Sequence, residues 1–353
     1  MKTKRINLGG VAIGGGAPVS VQSMTKTDTR DVAATLAQIR ALADAGCEII
    51  RIAVPDMEAA RALGAIRDGS PIPVIADIHF DHKLALEAIS RGVDGLRINP
   101  GNIGSQAKVK KVVSAAAAGK IPIRIGVNGG SLEKHLLAKY GHPTADALVE
   151  SAAGHIKILE DLDFTDIKVS LKASDVMRTV EAYRLFAKRF RYPVHIGISE
   201  AGPPGSGTVK SAAGLGILLA DGIGDTMRVS LTADPVEEVR VAWDLLKALG
   251  LRERGPEIIS CPTCGRCEIG LRDIAAEVEK NLRGMAGHFK VAVMGCVVNG
   301  PGEAREADVG IAGGKGVGIL FRKGKVLKKV REDELFDTLM NEIARLESGR
   351  HGE

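Results

Sequence analysis

At 353 residues the chain is at the limit of what one hydrophobic core organises, so two domains are expected. With 45% apolar and 26% charged residues it has the composition of a globular protein, which excludes a disordered or fibrous chain. The net charge of +5 is too mild to require nucleic acid, aromatics at 3% leave few base-stacking platforms, and no window reaches the length of a membrane span.

The first ten residues carry positive charge without an apolar run, so the cytoplasm is the expected compartment. Gly9-Gly10 between Leu8 and Val11 predicts a hairpin that plugs a barrel floor. Short β-branched runs then alternate with amphipathic ones. Strands are predicted over 19–24, 48–54, 73–78, 95–99, 121–127, 166–171, 194–198 and 226–231. Helices are predicted over 32–45, 57–67, 83–91, 106–118, 145–161, 174–189, 209–220 and 235–249, with Asp31, Ser105, Ser174 and Asp234 as N-caps. Strands apolar on both faces, in eight strand–helix units, predict a closed (β/α)8 TIM barrel. An open doubly wound sheet would also alternate, but no G-x-G-x-x-G follows the first strand.

Near 252–256 the pattern changes. A charged linker leads to a helix over 271–282, strands over 289–294 and 308–312, a hairpin over 317–321 and 325–330, and a helix over 332–347. These elements describe a smaller α+β domain, giving expected domains of 1–255 and 256–353.

Four of the five cysteines fall in that second domain. Cys261-Pro-Thr-Cys264-Gly-Arg-Cys267 is a tight cluster, and Cys296 lies on a Gly/Pro-rich loop that also carries Glu303. Cys47 stands alone in an amphipathic stretch and reads as a small buried apolar residue. Two metal centres fit the spacing. Zinc would take four closed thiolates, whereas an iron–sulfur cluster would take three with a fourth ligand from elsewhere. A carboxylate such as Glu303 is a hard ligand, unusual on a structural sulfur cage, and would leave one metal easier to open toward substrate. A disulfide framework does not suit an odd count in a large chain.

Four barrel strands carry an arginine between aliphatics: Arg51, Arg97, Arg124 and Arg228. Each buried guanidinium needs an anion, and four in equivalent places are hard to explain as structural ion pairs. Guanidinium forks match phosphate oxygens, and barrel sites lie at the C-terminal strand ends. Lys172 follows strand six, and Ser230 shares a strand face with Arg228. The pattern implies a small phosphorylated ligand, plausible as a diphosphate. Asn99, Asn102 and Asn128 sit at strand ends, where turn formation competes with amide contacts to a ligand. Glu200, after strand seven, is the better acid for chemistry; Asp77 and His79 are expected to hydrogen-bond each other. The basic stretch around Arg322-Lys323-Gly324-Lys325 reads as a hairpin turn with a solvated face, with docking of an acidic electron donor as a second use.

The segments Ser260–Arg266 and Gly295–Ala304 closely resemble those of the 4-hydroxy-3-methylbut-2-enyl diphosphate synthases, in their shorter bacterial two-domain form. The barrel motifs Ala76–Asp81, Arg97–Asn102, Arg124–Ser131, His195–Gly202 and Asp225–Ser230 agree, so the resemblance runs nearly end to end. It implies reductive ring opening of 2-C-methyl-D-erythritol 2,4-cyclodiphosphate in non-mevalonate isoprenoid biosynthesis. It implies a 4Fe–4S cluster on Cys261, Cys264, Cys296 and Glu303, with the iron under Glu303 meeting substrate. It implies Arg51, Arg97, Arg124, Lys172, Arg228 and Ser230 around the diphosphate, assisted by Asn128, with Glu200 acting on the leaving hydroxyl. Ferredoxin or flavodoxin would deliver electrons to a homodimer in which one subunit's cluster domain caps the other's barrel. The family motif requires no cysteine at position 267, so Cys267 is expected to be an idle neighbour. A class I aldolase using Lys168 or Lys172 is the enzymatic rival, and a metal-stabilised nucleic-acid binder the non-enzymatic one.

Overall fold

The computed structural model describes residues 2–285, 287–296 and 304–350. It divides into two compact units, Met1–Arg252 and Glu253–Glu353.

The first unit opens with a hairpin of β1 (Ile6–Leu8) and β2 (Val11–Ile13). Gly9 and Gly10 turn it with φ of 55° and 96°, a conformation that suits a tight hairpin turn and that side chains resist. Ile6, Leu8 and Ile13 pack on Ile49 and Ile75, so the hairpin seals the N-terminal ends of the strands behind it.

Eight parallel strands follow: β3 (Ser20–Met24), β4 (Ile49–Ala53), β5 (Val74–Asp77), β6 (Gly95–Ile98), β7 (Ile123–Asn128), β8 (Ile167–Lys172), β9 (His195–Ile196) and β10 (Thr226–Met227). Their order is β8-β7-β6-β5-β4-β3-β10-β9, and a parallel bridge between Val169 and Val194 joins the two ends. The unit is the expected (β/α)8 TIM barrel. Its surrounding helices are α1 (Val32–Asp44), α2 (Met57–Gly69), α3 (His82–Ser90), α4 (Gln106–Ala118), α5 (Lys134–Tyr140), α6 (Ala145–Glu160), α7 (Val176–Arg189), α8 (Pro204–Ala220) and α9 (Pro235–Ala248). Their apolar stripes close a continuous core over the strands.

Several boundaries differ from expectation. Asp175, not Ser174, caps α7, because its carboxylate accepts from the Arg178 N–H. Ser105 precedes α4 without a side-chain cap bond. The helix α8 starts at Pro204, five residues early, since proline suits a first turn and the local glycines hide the pattern. The short α5 has no sequence signal beyond one turn of periodicity.

The second unit carries a five-stranded sheet in the order β11 (Glu257–Ser260), β12 (Lys290–Met294), β13 (Val309–Ala312), β14 (Val317–Arg322) and β15 (Lys325–Arg331). The first three run parallel and the last two add antiparallel. Leu271, Val278 and Leu282 of α10 (Leu271–Leu282) and Leu335, Leu339 and Ile343 of α11 (Leu335–Arg350) share one core with Val291, Val293, Val309 and Ile311. Both helices therefore cover one sheet face, the expected α+β arrangement. The linker reading missed β11, an edge strand only partly buried and flanked by charge. No helix among the described residues is long and apolar enough to cross a membrane.

Candidate active site and cysteine centre

Strand register gathers the barrel's cations. Arg97 pairs with Arg124, Arg124 with Lys168, and Asn128 with Lys172. Residues two apart share a strand face, so Lys168, Ser170 and Lys172 all point inward. The side chains of Arg51, Arg97 and Arg228 are each 12% exposed, and Arg124 is 2% exposed.

Three of the four arginines have carboxylate partners. Asp77 lies 3.5 Å from Arg51 Nε and 3.2 Å from Arg97 Nη1. Arg228 donates to Glu238 from Nε at 3.2 Å and from Nη2 at 3.1 Å. Glu238 also lies 3.3 Å from Lys26 Nζ and accepts from the Leu231 N–H at 3.1 Å. Arg124 instead donates from Nη1 to Ser170 Oγ at 3.3 Å, and its Nε and Nη2 are buried without hydrogen-bond partners among the described residues. Structural ion pairing thus accounts for part of the ring, and a surplus of positive charge remains.

Asp77 and His79 are not hydrogen-bonded as expected: the closest approach is 3.6 Å. Arg97 Nη1 intervenes, 3.0 Å from His79 Nε2. Burial opposes ionisation of Asp77, but Arg51, Arg97 and Arg124 outweigh it and hold the carboxyl below its ordinary value. Burial and the neighbouring Arg97 likewise lower His79.

Glycines make room for the long side chains. A Cβ on Gly126 would stand 2.5 Å from Arg97 Nε, and one on Gly197 would stand 2.6 Å from Lys172 Nζ. Lys172 Nζ lies 3.3 Å from His195 Nε2, while His195 Nδ1 lies 2.9 Å from Thr226 Oγ1. Burial, then the arginines, push Lys172 well below its ordinary value; burial and Lys172 do the same to His195. Asn99 exchanges bonds with Gly126, donating to its carbonyl at 3.0 Å and accepting from its N–H at 2.9 Å, which ties β6 to β7. Asn102 lies in a single 3-10 turn, Pro100–Asn102. Asn128 and Ser230 are half-buried, at the end of β7 and just beyond β10. Glu200 is exposed after β9 with φ of 51°, a left-handed conformation sparsely populated by non-glycine residues and concentrated at functional sites.

Sequence reasoning missed Glu238 and the support of His195 for Lys172. Two adjacent acids open α9, and nothing local says which turns inward. Lys168, weighed only as a Schiff-base lysine, is 1% exposed.

In the second unit Ser260 pairs with Val293, so the chain leaves β11 and β12 at the same edge, carrying Cys261 and Cys296 there. The Gly295 N–H donates to Cys261 Sγ at 3.2 Å. Cys264 is exposed, and the backbone N–H and then the side chain of Arg266 hold its thiol below the ordinary value. Cys267 donates its thiol to the Ile269 carbonyl at 3.4 Å. Among the described residues no three His, Cys, Asp or Glu side chains converge on a metal position. Glu303 lies outside the described residues. Sulfurs that accept N–H bonds and a thiol held toward its thiolate form suit a thiolate-bound metal centre. Cys47 has no part in it: buried, it donates to the Ile49 carbonyl at 3.1 Å, and burial pushes it up to about 12.

The model of the GcpE TIM-barrel domain matches residues 3–243, and that of the GcpE protein C-terminal domain matches residues 257–345. The chain is 65% identical over 350 residues to the 4-hydroxy-3-methylbut-2-en-1-yl diphosphate synthase (flavodoxin) of Geobacter sulfurreducens, covering 99% of each. It is 64% identical to the protein of the same name from Thermodesulfovibrio yellowstonii, covering 97% of this chain and 98% of that one. Among solved structures, Yersinia pestis dihydropteroate synthase superposes on 70% of this chain and 98% of its own, with a TM-score of 0.51 at 12% identity, a likeness of fold alone.

Proposed function

The chain belongs to the GcpE family, and from that premise we propose that it opens and dehydrates 2-C-methyl-D-erythritol 2,4-cyclodiphosphate reductively, releasing (E)-4-hydroxy-3-methylbut-2-enyl diphosphate. Two electrons and two protons convert the ring to the linear diphosphate plus water. The observation that carries the reading is the surplus of basic side chains in the barrel interior: Asp77 pairs with Arg51 and Arg97 and Glu238 with Arg228, while Arg124 and Lys172 meet only Ser170 and His195. A diphosphate is the small ligand that completes such a set, because guanidinium forks bind its oxygens in pairs.

In this reading residues 1–252 bind substrate and residues 253–353 hold the redox centre. The arginines and Lys172 grip the diphosphate, with Ser230 and Asn128 adding neutral bonds at the rim. Glu200 gives a proton to the departing hydroxyl, which leaves as water. Cys261, Cys264 and Cys296, with Glu303 as the fourth ligand, would hold a 4Fe–4S cluster. Such a cluster, when bound, supplies the two electrons, drawn from reduced flavodoxin as the names of the relatives indicate, or from ferredoxin. The active species is proposed to be a homodimer. The aldolase reading, with Lys168 or Lys172 as its lysine, is not favoured: the relatives carry the synthase name, Lys168 is 1% exposed, and the cysteine centre would be idle.

The test is turnover by the full chain, purified and iron-loaded without oxygen, given the cyclic diphosphate and reduced flavodoxin. The linear allylic diphosphate is the expected product. Iron-replete protein that leaves the cyclic compound unchanged with every low-potential donor would overturn the reading.

A further inference from the structure

We propose that Lys168 is a second tier of the anion site: it takes up a proton from solvent when a diphosphate fills the barrel mouth. The inference rests on the diphosphate reading of that mouth.

Lys168 lies on the inward face of β8, four residues before Lys172, and is 1% exposed. Its Nζ has no hydrogen-bond partner among the described residues. Neither have Nε and Nη2 of Arg124, its register partner on β7. Facing it are Arg124, Arg51 from β4, His195 on β9 and Asp225 just before β10, with Lys172 further along the same face of its own strand. Asp225, the anion of this group, is engaged elsewhere: it accepts from Thr3 Oγ1 and from the Val194 N–H, both at 2.7 Å.

Two buried basic side chains therefore occupy neighbouring ladder positions without a shared counter-ion. The proton shortage falls on the group that binds a proton less firmly. A guanidinium keeps its proton and an amine surrenders it. Burial, reinforced by Arg124, pushes Lys168 well below its ordinary value, and in this proposal the unliganded barrel holds a neutral amine there. A diphosphate at the mouth changes the balance. Arg124 reaches one step up the barrel to Ser170, toward the mouth where the diphosphate would sit. New negative charge in a water-poor interior favours the ammonium form, and the amine takes its proton from solvent. The sign follows: binding raises the proton affinity of Lys168, so binding tightens as pH falls and weakens as pH rises toward the ordinary lysine value.

The experiment titrates the full chain, prepared without oxygen, with inorganic pyrophosphate and with the cyclic diphosphate. Calorimetry in two buffers of different ionisation enthalpy counts protons taken up per anion bound. The wild type should take up about one proton more than Lys168→Met or Lys168→Arg, with the slope of affinity against pH up to tenfold per pH unit steeper. Contributions from the ligand and from Lys172 are common to all three proteins and cancel. Lys168→Arg keeps the charge and should bind well, so it carries the comparison if Lys168→Met does not fold. A purely structural lysine would leave the proton count unmoved. Tight binding with equal counts in all three proteins sinks this inference and leaves the diphosphate reading intact. A wild type that binds neither anion sinks both.

Discussion

The barrel mouth and the cysteine edge reach readiness in different ways. In the barrel, register sets Arg97 beside Arg124 and Arg124 beside Lys168, and two buried carboxylates hold part of the charge in place. At the edge of β11 and β12, one thiol accepts a backbone N–H, another is exposed on a turn, and no three donors among the described residues meet. The difference lies in who does the assembling. Packed strands can hold like charges together because the fold's total stability absorbs their repulsion. In the proposed centre the metal itself would gather the thiolates, since binding energy for a structural metal is also folding energy for its loops.

The comparison can be broken at four places. The largest effect should come from the edge. Cys261→Ser, Cys264→Ser and Cys296→Ser are each expected to abolish iron retention and turnover, while Cys267→Ser, whose thiol points to Ile269, keeps a full iron complement. Iron counts and anaerobic spectra decide this, and iron loss from the Cys267 variant would reassign the ligands. Next comes Glu200→Gln. It should lower single-turnover rates by roughly 10²–10⁴-fold with iron and substrate binding unchanged. A variant as fast as wild type would show that the strained residue only shapes the loop.

Asp77→Asn probes how far the barrel depends on its counter-ions. Removing one partner of a buried ion pair costs about 3 kcal/mol, read as a lowered denaturation midpoint. The pH signature has a fixed sign. Because the folded-state value is depressed, the stabilisation is complete above the ordinary carboxyl range near 4 and fades as pH falls through the depressed value. Equal acid sensitivity in wild type and variant would mean that Asp77 is not the keystone. The smallest effect is expected from Arg97→Met: about 10- to 100-fold weaker diphosphate binding, from the loss of bonds worth roughly 1.5–3 kcal/mol, with the iron spectrum intact. Unchanged affinity would make Arg97 an ion-pair residue alone.

By itself the sequence determined the features that depend on neighbours along the chain. Alternating strand and helix patterns specified a barrel of eight units, Gly9-Gly10 marked the hairpin, and the helices at 106–118 and 271–282 end where periodicity ends. Arginines between aliphatics marked inward strand positions, and cysteine spacing marked out a candidate metal centre. Tertiary structure decided what each charge faces. Asp77 reaches Arg51 and Arg97 across strands, Glu238 rather than Glu237 turns in to Arg228, and His195 steadies Lys172. It also decided that β11 is a strand and that Lys168 lies sealed in the interior. The reason is range. Caps, turns and periodicity act over a few residues and leave a local trace, whereas an ion pair between strands needs only the right register and leaves none.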